Sequence, residues 1–148
     1  INSKAIKDGL DWNKLSSAIK LPQTILSFKN SLLIPVPLSG KRLRWRGFNQ
    51  AQILAEQVAK NFSMEIGLNQ LIKTKHRQAQ AKLNAEERKN NLLDCFSWQG
   101  EELNGRNVIL VDDVVTTGST LNECAKVLKQ FGAKKVFAAV VARQTVKK

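Results

Sequence analysis

Apolar residues fall along this chain in two rhythms, unbroken short runs and one-face recurrences, and their alternation predicts an α/β domain of strand, loop and helix units. The run Val108-Ile109-Leu110-Val111 is apolar at every position, as a strand covered on both faces must be. Ser31 to Pro37 is a second short strand, Leu32, Leu33, Ile34 and Val36 being followed by prolines that force extension and end pairing. Met64 to Thr74 holds another, Leu93, Cys95 and Phe96 a further one before the turn Gly100 to Gly105, and Lys135 to Ala142 the last. Between them lie helical recurrences. Asn49 caps a helix to about Phe62, with Ala51, Leu54, Ala55, Val58 and Phe62 on one face. Leu121, Ala125 and Leu128 mark another, which Gly132 stops. Ala5 to Leu26 is partly periodic but interrupted by Pro22. Asn84 with Glu87 caps a short helix through Asn91, and Lys75 to Lys82, with no apolar periodicity, reads as a mobile loop. The expected architecture is an open, mostly parallel sheet flanked by helices over residues 31–148, preceded by a partial helical segment over 1–30.

A chain of 148 residues suits one compact domain. No stretch approaches the roughly 20 apolar residues that span a bilayer, so membrane insertion is not expected. No leader pattern opens the chain, and a soluble cytoplasmic protein is the expectation. It begins with Ile1, which suggests a piece lacking its start. Cys95 and Cys124 have no metal-ligand spacing and read as small core residues. The net charge of +12 favours polyanionic partners, and residues 41–89 hold eleven basic against four acidic side chains.

The chemistry follows the clearest strand. Asp112 and Asp113 stand at its carboxyl end, where open α/β sheets bind ligands, and two carboxylates can accept hydrogen bonds from a vicinal diol. Thr116, Thr117, Gly118, Ser119 and Thr120 then supply hydroxyls, backbone N–H groups and a tight turn into a helix start, which suits a phosphate dianion. Thr120 and Glu123 have capping-box spacing. The lysine and spacing of a nucleoside triphosphate P-loop are missing, as is the G-x-G-x-x-G of a dinucleotide fold. The expected ligand is therefore a phosphorylated sugar.

A second constellation, Lys41-Arg42-Leu43-Arg44-Trp45-Arg46-Gly47-Phe48-Asn49-Gln50, puts four cations in six positions after a strand. It reads as an anion-binding loop, although an isolated basic run is more often a solvated turn. Trp45 and Phe48 among arginines suit stacking on nucleobases, or equally the edge of the core. His76, the only histidine, sits among cations with no carboxylate at a useful spacing, and a solvated loop residue is the better reading than a general base.

The stretch Val108 to Thr120 resembles the signature of the type I phosphoribosyltransferases, which bind 5-phosphoribosyl-1-pyrophosphate (PRPP). With Ile34-Pro35-Val36-Pro37, Arg46-Gly47-Phe48-Asn49-Gln50-Ala51, Gln80, Leu83, Arg88 and Asn91, residues 31–144 resemble the competence protein F (ComF) family, whose members are phosphoribosyltransferase-like. The resemblance implies a type I phosphoribosyltransferase fold and a glycosyltransferase acting on PRPP. It implies Asp112 and Asp113 as the catalytic pair on the ribose hydroxyls, and Thr116, Thr117, Gly118, Ser119 and Thr120 on the 5-phosphate. Ser39, Gly40, Lys41, Arg42, Arg44 and Arg46 would face the pyrophosphate, with Arg88 adding charge or standing as an exposed helix cation. Mg2+ would be held by substrate oxygens, with Asp112 reaching it through water. The nitrogen acceptor is unidentified. The alternative implied by the family is a non-catalytic protein of DNA uptake, binding single-stranded DNA or a helicase-like partner, with PRPP as regulator. A homodimer is expected because related transferases commonly pair. The family's amino-terminal zinc ribbon, with paired Cys-x-x-Cys motifs, has no match here.

Overall fold

The structure, a computed structural model, describes residues 31–74 and 95–144. The readings made for residues 1–30, the Lys75 to Lys82 loop with His76, and the Asn84 to Asn91 helix with Arg88 lie outside the described residues.

Two parallel strands form the centre, β1 (Leu32–Pro35) and β5 (Asn107–Val115), in register from Leu32 opposite Val108 to Pro35 opposite Val111. β2 (Glu65–Ile66) lies outside β1 and β6 (Lys135–Arg143) outside β5, giving a parallel sheet in the order β2-β1-β5-β6. Alternation along each central strand sends side chains to opposite faces. Leu33, Ile109 and Val111 meet Leu54, Ala55, Val58 and Ala59 of helix α2 (Gln50–Phe62) on one face. Leu32, Ile34, Val108 and Leu110 meet Cys124, Val127 and Leu128 of helix α3 (Ser119–Gln130) on the other. That second face also packs against Leu71, Phe96 and Trp98, contributed by an antiparallel pair, β3 (Leu71–Lys73) and β4 (Phe96–Trp98). Both faces being covered explains the unbroken apolar runs: burying each such side chain contributes about 1.5–3 kcal/mol.

The open parallel sheet with flanking helices is as the pattern predicts, and Cys95 and Cys124 are buried as expected. Three expectations about these elements need correction. Ser39 to Phe48 is not a loop throughout: Gly40–Arg46 forms a seven-residue helix, α1, started by Ser39, whose Oγ accepts from the Arg42 N–H, and ended by Gly47 at φ 81°. Met64 to Thr74 holds two strands, in different sheets, because Gly67 to Gln70 turns the chain between them. Phe62, at the last position of α2, is exposed, and Ala59 closes the buried stripe. Of the two readings of Phe48, burial favours the core over stacking.

Asn49 ties the start of α2 to the end of β1. Its Oδ1 accepts from the Ala51 N–H at 3.1 Å, capping α2, while its Nδ2 donates to the Val36 carbonyl at 3.0 Å, just past the end of β1. Asn49→Ala removes both bonds and is expected to cost about 1–2 kcal/mol in denaturant unfolding, whereas Asn49→Asp, which keeps the cap and loses the donor, should fall between.

Candidate functional site

β5 has nine residues and β1 only four, and the register that sets Leu32 opposite Val108 leaves β5 running on past the end of β1. Pairing with β1 closes where the Val36 N–H donates to the Val111 carbonyl at 2.9 Å. From Asp112 onward β5 runs with β6 alone, Asp112 opposite Val140 and Val115 opposite Arg143. This overhang is why the two acids lie inside the strand rather than beyond it. It is also the place where the chain leaves β1 by α2 on one face and leaves β5 by α3 on the other. Opposite departures from neighbouring strands open a crevice at their carboxyl ends, the usual ligand site of such sheets.

Both carboxyls are tied to the main chain in that crevice. Asp112 Oδ1 accepts from the Asp113 N–H at 2.9 Å, and Asp113 Oδ1 from the Val114 N–H at 2.8 Å. Burial pushes the Asp112 carboxyl up to about 7; the Asp113 N–H opposes the rise and the Asp113 side chain adds to it. Near neutrality Asp112 is thus easily converted by whatever approaches it, and donor hydroxyls or a cation favour the carboxylate.

Beside it lies an open cup of about 240 Å3 lined by Asp112, Val114, Val115, Leu121 and the turn Thr116 to Thr120. Gly118, at φ 78°, makes the turn and is the N-cap of α3, and as a glycine it offers no side chain of its own to cap the helix. This corrects the Thr120–Glu123 capping box: α3 begins at Ser119, so Thr120 already stands within the first turn. The physical consequence favours a ligand, because first-turn N–H groups have no intrahelical partner and attract anions. Within the turn, Thr117 Oγ1 donates to Ser119 Oγ at 3.0 Å and accepts from the Ser119 N–H at 3.4 Å, which orders the loop.

The cup unites Asp112 with Thr116, Thr117, Gly118, Ser119 and Thr120; Asp113 adjoins through Asp112 and is not part of the lining. The pyrophosphate candidates stand apart, on Ser39 and α1, which follows β1 at the same end of the sheet. No residue of α1 is buried, and Trp45 is 78% exposed beside Lys41, Arg42 and Arg44. Sequence reasoning overlooked Lys73. Its Nζ lies 5.1 Å from the centre of the Phe96 ring, and its charge is felt at Cys124, the buried thiol behind the cup. Burial pushes that thiol up to about 12, Glu123 and Asp112 add to the rise and Lys73 opposes it, so Cys124 is an inert packing residue. No periodicity marks Lys73. Among the described residues, no group of three or more His, Cys, Asp or Glu could hold a metal ion, and no helix is long and apolar enough to cross a membrane.

Residues 46–148 match the family model of the phosphoribosyl transferase domain. The chain is 39% identical over 133 residues to "Competence protein F" of Haemophilus influenzae, covering 88% of this chain and 54% of that protein. It is 38% identical over 106 residues to "Competence protein ComFC" of Bacillus subtilis, covering 70% and 40%. It is 34% identical over 118 residues to "DNA utilization protein YhgH" of Escherichia coli, covering 80% and 48%. The chain therefore spans about half the length of these curated relatives or less. Among solved structures, a purine phosphoribosyltransferase from Pyrococcus horikoshii superposes with a TM-score of 0.57 at 16% identity, over 93% of this chain and 88% of that one. That likeness shows the fold.

Proposed function

Because the chain belongs to the phosphoribosyl transferase domain family, in its competence protein F group, we propose that it binds PRPP with Mg2+ and transfers the phosphoribosyl group to a nitrogen nucleophile. The observation that carries this reading is the union of Asp112 with the uncapped start of α3 in one cup at the crevice between β1 and β5. Thr116 to Thr120 and the α3 N–H groups hold the 5-phosphate; Asp112 and Asp113 accept from the ribose hydroxyls. Ser39, Gly40 and the cations Lys41, Arg42, Arg44 and Arg46 face the pyrophosphate from the β1 side. The anomeric carbon loses its bond to a pyrophosphate oxygen, which departs with the electron pair, while the nitrogen lone pair forms the new bond and its proton passes to solvent. Fixing both ends of the sugar makes this a matter of positioning and charge. The donors at the overhang are carboxylate oxygens, which suit a hard cation that takes most of its ligands from substrate and water, Asp112 acting through a water. Such a cation would neutralise the departing pyrophosphate.

A second reading is favoured by α1: an exposed tryptophan among cations suits single-stranded DNA, and the printed names of the relatives concern competence and DNA utilization. In this reading the protein acts in DNA uptake on DNA or a helicase-like partner, and PRPP regulates it. Calorimetric titration with PRPP, with and without Mg2+, alongside ribose 5-phosphate and a single-stranded oligonucleotide at two salt concentrations, separates the two. Magnesium-dependent PRPP binding supports the transferase; oligonucleotide binding that falls with salt, without PRPP binding, supports the second.

A further inference from the structure

Three polar residues among those described are buried in the fold: Ser31, Ser39 and Gln50. Ser39 spends its Oγ on the Arg42 N–H at the start of α1, and Ser31 precedes β1 at the amino end of the sheet, away from the cup. Gln50 differs from both. It is 6% exposed, stands at the first position of α2, and its carboxamide has no hydrogen-bond partner among the described residues. A buried amide without a partner destabilises the empty protein, and beside a ligand crevice the missing partner is to be sought in the ligand.

The place of Gln50 is fixed by α2. One turn before Leu54, it heads the stripe that continues through Ala55, Val58 and Ala59 against the sheet, and Asn49 ties that end of the helix to the Val36 carbonyl. Gln50 therefore lies on the α2 side of the sheet, at the carboxyl end of β1. Asp113 takes the same side: with Leu110 packed toward α3 and Ile109 and Val111 toward α2, alternation turns Asp112 to the cup and Asp113 to the α2 face. The two acids thus look to opposite sides of β5, with the phosphate turn on the side of Asp112 and Gln50 on the side of Asp113.

We propose that Gln50 is a ribose-contacting residue that, with Asp113, holds the 2-hydroxyl and makes the site select ribosyl over 2-deoxyribosyl phosphates. The proposal rests on the PRPP-binding reading given above and adds to it the side chain that reads the sugar. A ribosyl unit anchored by its 5-phosphate in the cup runs away from α3 past its 3-hydroxyl to its 2-hydroxyl and anomeric carbon, so the 2-hydroxyl is the one that reaches the α2 side. There a carboxylate can only accept. Asp113 takes the hydroxyl proton and leaves the oxygen lone pairs without a donor, which Gln50 Nε2 supplies. A pyrophosphate oxygen is the poorer occupant, because it brings negative charge toward Asp113, whereas a neutral hydroxyl satisfies acid and amide together. A 2-deoxy sugar leaves the amide as unpaired as in the empty protein, and a site built to bond a hydroxyl rejects the analogue lacking it for that reason.

The test compares ribose 5-phosphate with 2-deoxyribose 5-phosphate on the full chain, each by displacement of PRPP in calorimetry at saturating Mg2+. The parent is expected to prefer the ribo sugar by about tenfold or more. Gln50→Met keeps the length of the side chain and loses its hydrogen bonds. It should weaken ribose 5-phosphate and PRPP by about fivefold and leave 2-deoxyribose 5-phosphate within about twofold, so that the preference shrinks. It should also raise the thermal unfolding midpoint of the empty protein, because an unpartnered amide has gone, and that rise shows that the variant is folded. Equal affinity of the parent for the two sugars overturns the assignment without recourse to any variant. A Gln50→Met variant that weakens both sugars alike, or that loses PRPP affinity with the ribo preference intact, overturns it too. Absence of PRPP binding in the parent overturns the underlying reading instead, so the two failures are distinct.

Discussion

Replacing Asp112 and Asp113 together by asparagine is expected to weaken Mg2+-dependent PRPP binding at least 100-fold while making the unliganded protein more stable at pH 8. The two effects have one origin. In the proposed complex, ionised carboxylates would each provide charge-assisted hydrogen bonds of about 1.5–3 kcal/mol to the sugar hydroxyls, and amides would provide less. Without ligand, Asp112 is held at about 7 by burial against an ordinary value of 3.8, so the folded chain keeps its proton where the unfolded chain has lost it. The stability linked to this group is full below about pH 4 and declines as pH rises toward 7. The group is partly exposed, so solvent screening reduces the loss to about 1–2 kcal/mol. Asp112→Asn alone should therefore match the parent near pH 4 and exceed it by about that amount at pH 8 in denaturant melts. PRPP affinity should climb between pH 6 and 8 in the parent, with proton release on binding. Undiminished binding in the double variant would remove these acids from the site.

Leu110→Ala is expected to cost about 2–5 kcal/mol, the largest loss of stability among the single changes considered. Leu110 is 1% exposed and belongs to the cluster of the α3 face that includes Cys124, Val127 and Leu128. Its neighbours on both sides are fixed by sheet pairing, so the cavity has little room to collapse. Phe62→Ala, at the exposed end of α2, should cost under about 1 kcal/mol and serves as the comparison in the same melts. Because Leu110 precedes Asp112 by two residues on the same face, a drop in PRPP affinity beyond what unfolding explains would mean that the strand transmits the slack to the acid.

The legible parts of this molecule are those where a local pattern and its tertiary use coincide. Val108 to Val111 is apolar throughout because both faces are covered, and Gly118 and Gly132 mark turns with positive φ, 78° and 89°. α1 escaped notice because none of its residues is buried: with Leu43 and Trp45 facing water, no apolar face distinguishes it from a charged loop. β2 has only two residues, too few for any period to register. Phe48, among arginines, reads equally as a stacking ring or as the edge of the core, and only its burial decides for the core. The capping box misled because Thr120 and Glu123 have the right spacing inside a helix that already began one residue earlier.

A helix whose N-cap is a glycine has no cap side chain, and apart from the 3.4 Å contact of the Ser119 N–H with Thr117 Oγ1 its first turn can take an acceptor from a bound anion. Whatever anion occupies the cup becomes an element of the folded molecule, and the folding equilibrium inherits its concentration: at about 100 times the dissociation constant a ligand adds about 2.7 kcal/mol. Under the proposed function, the lifetime of this chain against proteolysis would be tied to the supply of its ligand, and abundance of the protein would track abundance of the metabolite with no separate sensor.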